Sequence, residues 1–412
     1  MSAVYDDLGV CTVINAAGTL TRLGGSRMPP EVLAAMAAAS QSFVRIEDLQ
    51  VAAGRVIAAA TGAEDGYVTA GAAAGLLLGT AACVAGLDPA AMDRLPDTRG
   101  LKSEVVVQRV HRNSYDHAVR TVGIRLVEVG GLGHPTPRPT EPWELAAAIT
   151  RRTACVLWPV MAAPDVLSLT TVTRIAHDHD VPVLVDAAAA LPPPENLQRF
   201  ITEGADLVTF SGGKALRGPQ ASGILAGRAD LIRSVALQHQ DMDVLPETWT
   251  WRHLLEQGVV AGPPGQGIGR VAKVGREEVV GLVTALQRYL ALDHDAERQR
   301  LVAGARRLTS DLAGLRHVTV TALDGPEERF PSVRLDLDEP RLGITAIAAV
   351  NALAAGDPII AVGQGLAPHG SLLLNPFNLD TADEMTTVVR RLREVLTPTY
   401  APSPPCGEEA GG

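Results

Sequence analysis

The sequence predicts an α/β protein with a large, mostly parallel sheet domain and a small α+β domain toward its C-terminus. Three observations predict it. Short β-rich runs alternate with helical stretches from about residue 65 to 210, the pattern of parallel strands covered on both faces. A second block after residue 311 reads β-β-α-β-β-α. The chain is 412 residues long and 46% apolar, enough for a large core and a smaller one.

The elements follow in order. Residues 29–40 open with Pro-Pro-Glu and continue Ala-rich, a helix start with Pro in its first turn. Residues 46–61 read as a helix closed by Gly62. Then come a strand at 67–69, a helix at 72–85, a strand at 105–107 and a helix near 114–121. Strands at 125–129, 154–159, 183–186 and 207–210 follow, alternating with helices near 141–150, 168–179 and 195–203. A helix at 228–239, a Gly/Pro-rich loop at 261–269 and one long helix at 275–311 come next. The last block has strands at 318–322, 332–337, 358–362 and 371–375, with helices at 344–355 and 381–396. The expected division is an N-terminal arm and helix over 1–50, a large domain over 51–275, a linking helix with the small domain over 276–400, and a disordered tail over 401–412.

Composition sets limits. Net charge is −10 and the pI about 5.5, a balance that disfavours a nucleic-acid scaffold. No apolar run approaches a membrane span, and the N-terminus lacks a signal-peptide core. Cys11, Cys83, Cys155 and Cys406 show no zinc spacing and read as reduced thiols of a cytoplasmic protein, with no metal.

The chain has three lysines, Lys102, Lys214 and Lys273; the other basic residues are arginines. Lys214 sits in Ser211-Gly212-Gly213-Lys214, at the carboxyl end of an apolar strand. Upstream, Val183-Leu184-Val185-Asp186 ends a strand in a carboxylate. A strand-end Asp followed by a loop Lys suggests a pyridoxal 5'-phosphate (PLP) enzyme. Lys214 would form the Schiff base and Asp186 would hold the pyridine nitrogen protonated. A buried carboxylate needs such a cation; capping of the next helix is the plainer use of Asp186. Lys102 reads as solvated, and Lys273, three residues past Arg270, as part of an anion-binding pair.

Strand 67–69 runs through Ala70 and Gly71 into Ala72, Ala73, Ala74 and Gly75. A phosphate there would meet free N–H groups at a helix start, and Ser211 could add a hydroxyl. His111 follows a strand and could stack on a cofactor ring, or be a polar loop residue. Arg22, Arg112, Arg217 and Arg270 are the arginines that could take a substrate carboxylate. A nucleotide-binding α/β protein lacks its motif here, since neither GxGxxG nor a P-loop lysine is present.

Taken together, these stretches resemble the selenocysteine synthase / D-glucosaminate-6-phosphate ammonia-lyase branch of fold-type-I, aminotransferase class V-like PLP enzymes. The resemblance runs through 13–19, 66–75, 104–115 and 184–186, then 204–214, 218–223, 267–270 and 273–275. It implies Lys214 on the cofactor aldehyde and Asp186 at the pyridine nitrogen. It implies Ala72, Ala73 and Ser211 around the phosphate, with His111 against the ring. It also implies a homodimer or larger ring, in which Gln266 and Gly267 reach a neighbouring subunit's phosphate. Two departures stand out. Ala187 to Ala190 offer no side chain to the cofactor's phenolic oxygen, and Arg217 stands where some relatives have a small residue.

The reaction this implies is chemistry at the α-carbon of an amino acid or amino sugar acid, with ammonia-lyase-type α,β-elimination first. Transamination and racemisation use the same scaffold. Selenium transfer on a tRNA is disfavoured by the acidic balance. A non-catalytic regulator is disfavoured by the intact Lys214 and Asp186 pair.

Overall fold

The computed structural model describes residues 3–131, 139–161 and 166–397. The tail expected at 401–412, with Cys406, lies outside the described residues. The chain divides into two compact units, Met1–Arg27 with Leu292–Gly412, and Met28–Ala291. The strands in chain order are β1 (Val13–Ala16), β2 (Asp65–Thr69), β3 (Glu104–Gln108), β4 (Arg125–Val129), β5 (Thr153–Pro159), β6 (Val183–Asp186), β7 (Leu207–Ser211), β8 (Gly223–Gly227), β9 (Val318–Leu323), β10 (Ser332–Leu337), β11 (Ile359–Val362) and β12 (Ser371–Leu374).

The 28–291 unit holds one seven-stranded sheet in the order β2-β8-β7-β6-β5-β3-β4. From β7 to β4 the pairs are parallel; β8 runs antiparallel between β2 and β7. The helix Ala72–Ala85 is apolar around its whole circumference and all but one of its residues are buried, as expected of a helix enclosed by sheet and helices. The helix Ile46–Thr61 crosses edge strand β2 at a glycine pair. A Cβ on Gly54 would come 2.4 Å from the Gly66 carbonyl oxygen, and one on Gly66 would come 2.3 Å from Ile57 Cγ2. From the same helix, buried Gln50 donates to Val68 O at 2.9 Å and accepts from Val68 N at 3.0 Å. That amide occupies backbone groups an open edge would leave for another strand.

The other unit has the antiparallel sheet β12-β10-β9 and the parallel pair β1-β11. Its core includes Leu308, Leu312, Val333, Leu335, Leu372 and Leu392. In this unit Asn378, almost fully buried, donates to Gly18 O at 3.1 Å and Gly25 O at 3.2 Å.

The alternation expected from the sequence is present, with three differences. The long helix at 275–311 is two helices, Arg276–Leu290 and His294–Leu312. Asp293 caps the second by accepting from Ala296 N at 2.9 Å, a local bond that competes with helix continuation. The unit boundary falls at that break, and residues 28–50 belong with the large sheet. Strands β1 and β8 were not anticipated; β8 is a short apolar run closed by glycine at both ends. Cys83 and Cys155 are buried and free.

A Gly54→Val substitution should separate the helix from β2 and lower stability by about 1–3 kcal/mol, read as a lower urea midpoint. An unchanged midpoint would mean the glycine contact is dispensable.

Candidate active site

The register of the large sheet gathers the expected residues on one edge. Asp186 pairs with Pro159 on one side and Thr209 on the other. Gly223 pairs with Ser211 of β7 and with Thr69 of β2. The carboxyl ends of β2, β5, β6 and β7 are thus aligned, the edge at which open α/β sheets bind ligands.

Lys214 lies in the turn leaving β7. Gly212 N donates to Ser222 O at 2.8 Å, Gly218 N to Gly212 O at 2.9 Å, and Arg217 N to Lys214 O at 3.0 Å. A Cβ on Gly212 would meet Ser222 Oγ at 2.2 Å, and one on Gly213 would meet Gln220 Oε1 at 2.5 Å. The two glycines therefore let the turn close tightly around a half-buried Lys214. Arg217 holds a left-handed φ of 57°, a conformation that is uncommon for a residue with a side chain.

Asp186 ends β6. Ala188 N donates to its Oδ1 at 3.0 Å, and it has no ion pair among the described residues. Burial pushes its carboxyl above the usual range, while the Ala188 bond and the charge of Lys214 pull it back. The charge of Lys214 therefore reaches the Asp186 carboxyl.

His111 closes a 3-10 turn, Arg109–His111, just after β3. It is fully buried, and neither Nδ1 nor Nε2 has a hydrogen-bond partner. Burial alone lowers its pKa to about 4, so the ring is neutral near pH 7. Trp158 meets it edge to face, with centroids 5.5 Å apart at 87°.

The turn after β2 ends in Gly71, at φ 94°, followed by the helix Ala72–Ala85. Gly71 supplies no capping side chain, which leaves the first N–H groups to a ligand or to water. Ala72 is buried and Ala73 exposed. Gly223 packs directly beneath: a Cβ there would come 2.5 Å from Gly71 C and 2.8 Å from Ala72 N. Gly75 lies equally close to Thr209, whose Oγ1 would sit 2.3 Å from an added Cβ.

Other candidates have different settings. Arg112 is held by Asp116 and Glu128, so its guanidinium is committed within the protein. Arg270 pairs with Asp241 at 3.4 Å and donates to Gln266 Oε1 at 3.1 Å. The Gln266 amide in turn donates to Asp241 and Asp243, each at 3.1 Å. Gly267 is buried against Gln238, whose carbonyl oxygen would lie 2.5 Å from a Cβ. Arg22 is exposed on the turn Thr21–Leu23 of the smaller unit. Lys273 is exposed and Lys102 half-buried. Sequence reasoning missed Gly223, Trp158 and Thr209. The glycines of 218–223 were visible as a motif, but nothing local showed which neighbour they touch.

A family model described as SelA, L-seryl-tRNA selenium transferase, matches residues 13–243. The chain is 34% identical over 405 residues to a 5'-C-glycyluridine monooxygenase-decarboxylase of Streptomyces sp, covering 95% of this chain and 92% of that protein. It is 31% identical over 401 residues to the D-glucosaminate-6-phosphate ammonia lyase of Salmonella typhimurium, covering 95% and 97%. A solved D-glucosaminate-6-phosphate ammonia-lyase superposes with a TM-score of 0.78 at 30% identity, over 95% of this chain and 98% of that one. At 17% identity and a TM-score of 0.56, over 89% and 93%, the fold recurs in a solved chain with glycine covalently linked to its PLP cofactor. The architecture is the fold-type-I fold of PLP-dependent enzymes, as the resemblance implied.

The Asp186 setting has a consequence for stability. A carboxyl whose folded pKa is raised binds more protons folded than unfolded. Its contribution to stability therefore falls as pH rises from the ordinary carboxylate range through the raised value. Cofactor-free Asp186→Asn should be more resistant to urea than the parent at neutral pH, with the two converging toward about pH 4. A variant less stable at neutral pH would contradict this sign.

Proposed function

The chain belongs to the SelA, L-seryl-tRNA selenium transferase, family, and on that premise we propose that it is a PLP-dependent enzyme acting at the α-carbon of an amino acid or amino sugar acid. The reaction favoured is ammonia-lyase-type α,β-elimination. The observation that carries the cofactor reading is a set of groups left incomplete by the protein itself. Asp186 is a half-buried carboxylate, raised in pKa by desolvation, with no ion pair among the described residues. His111 is a buried imidazole with both nitrogens unpartnered. Gly223 leaves room for the Gly71–Ala72 turn that a Cβ would fill.

PLP fits those groups. Lys214 would hold it through Nζ, Asp186 would face the pyridine nitrogen, and His111 would lie against the ring. Gly71, Ala72 and Ala73 with the Ser211 hydroxyl would take the phosphate. When bound, PLP supplies an electron-withdrawing ring that accepts the negative charge left as a bond to the α-carbon breaks. The remaining work falls to this chain. The Lys214 amine takes the α-proton as general base. The closed glycine turn fixes where that amine can reach. The Ala188 N–H and the charge of Lys214 favour the ionised form of Asp186 against burial, and a pyridinium would add a further cation on that side. Neutral His111 presents a flat, uncharged face and helps exclude water. Loss of a β-substituent followed by hydrolysis then yields a keto acid and ammonia. Arg217, next to the Lys214 turn, is the arginine proposed for a substrate anion, with Arg22 and Arg270 as alternatives.

The likeness to the lyase over nearly the whole chain supports elimination. The name of the 34% identical relative supports a second reading, decarboxylation with oxygen. Transamination, racemisation, selenium transfer and a regulatory role remain the other readings. A homo-oligomer belongs to the proposal, supported by exposed apolar side chains on the large unit: Phe43 is 96% exposed, Val271 84% and Leu245 67%. Among the described residues no helix is long and apolar enough to cross a membrane; a cytoplasmic location is part of the same proposal.

Protein reconstituted with PLP should show a visible absorption band that Lys214→Ala loses together with turnover; an unchanged band in the variant would sink the assignment. A panel of D- and L-amino acids and amino sugar acids then separates the reactions. Ammonia with keto acid supports elimination. Pyridoxamine phosphate, solvent deuterium with inversion, or carbon dioxide with oxygen uptake would replace it with transamination, racemisation or oxidative decarboxylation. Tight tRNA binding with a steep salt slope would point to selenium transfer instead.

A further inference from the structure

His111 is buried without a polar bond from its ring, so something else must set its angle. Its backbone turn is tied down on both sides. Arg109 and Arg112 flank it, two residues before and one after, and both reach Glu128 on β4. Arg109 Nε lies 3.1 Å from Glu128 Oε2, and Arg112 Nη1 pairs with Glu128 Oε1. One carboxylate thus holds both ends of the turn, one oxygen each. Arg112 also donates from Nε to Asp116 Oδ2, and the Asp116 side chain is only 3% exposed. Inside the turn, Arg112 N donates to Arg109 O at 3.1 Å. Asn113 Nδ2 donates to His111 O at 3.2 Å, and Asn113 Oδ1 accepts from Tyr115 N at 2.8 Å.

We propose that Glu128, Arg112 and Asp116 are positioning residues for His111: a shared-carboxylate staple that fixes the turn and so the plane of the ring. An isolated exposed ion pair contributes about 0–1 kcal/mol, too little to hold a turn alone. Here three pairs share two carboxylates, one of them buried, and each pair restrains the next. The staple also changes the meaning of Arg112, which serves the protein rather than a substrate carboxylate. What His111 faces rests on the cofactor reading above; the staple itself does not.

The test separates the two. Cofactor-free protein with 15N-labelled histidine is titrated by NMR, and His111→Gln identifies the resonance. In the parent, the ring should stay neutral down to about pH 4. Glu128→Ala should let water reach the ring and raise its midpoint by roughly one unit or more toward the ordinary value near 6.5. Removing the negative charge of Glu128 would by itself move the midpoint down, so a rise identifies loosening of the turn. Glu128→Gln, with one carbonyl oxygen left to accept, should fall between and serves if the Ala variant does not fold. An unchanged or lowered midpoint in a folded variant overturns the proposal. With PLP added, the same variants should lose cofactor affinity about tenfold while keeping the absorption band at saturation. A histidine shift without any PLP band in the parent would leave the staple standing and remove the cofactor reading. A band with no histidine shift would do the reverse.

Discussion

Because β8 runs antiparallel between β2 and β7, its first residue pairs with Thr69 on one side and Ser211 on the other. That residue is Gly223, and it also carries the backbone of the Gly71–Ala72 turn on its open face. A single residue without a side chain therefore sets the distance between two turns that are far apart in sequence. One presents the N–H groups of a helix start; the other presents Lys214. Parallel pairing from β7 to β4 then brings Asp186 and His111 to the same edge. If β8 were shifted by one residue, Gly223 would leave this contact and the pairing would reverse its faces.

Burial at that edge has opposite effects on stability and on chemistry. Asp186 is partly withdrawn from water with one backbone N–H and a lysine charge nearby. His111 is held out of water with nothing at its nitrogens. Each costs folding free energy, since an unmet buried polar group costs about 1–3 kcal/mol. The same absence of competing partners makes each group available to a ligand. The seven-stranded sheet and the enclosed helix Ala72–Ala85 supply the apolar burial that offsets those costs.

Much of this could be read from the sequence, and the parts that could not share a cause. The helix Ala72–Ala85 and the strand Val183–Asp186 have the ends expected of them, because their signals are local runs closed by glycine or a carboxylate. Lys214 and Asp186 were visible for the same reason: each is an unusual residue at a strand end. Gly223 was not, because its role comes from the register that pairs it with Thr69 of β2, far away in sequence. Arg112 read as a substrate residue because its partner Glu128 lies on another strand, and periodicity does not report pairing. The break between Leu290 and His294 was hidden by good helix formers on both sides; only the Asp293 cap reveals it.

The use of basic residues follows the same division. The described ion pairs are made by arginines, with His177 the exception. Arg125 and Arg152 share Glu104, and Arg112 and Arg109 share Glu128. Such sharing suits a planar guanidinium with several fixed donors and a charge that never leaves. A proton-transferring group needs the reverse property: a charge that can be lost. Lysine has it and arginine does not. In a chain with only three lysines, structural pairing has been left to arginine almost throughout. Lys214, in the glycine turn after β7, is the lysine whose charge reaches the Asp186 carboxyl.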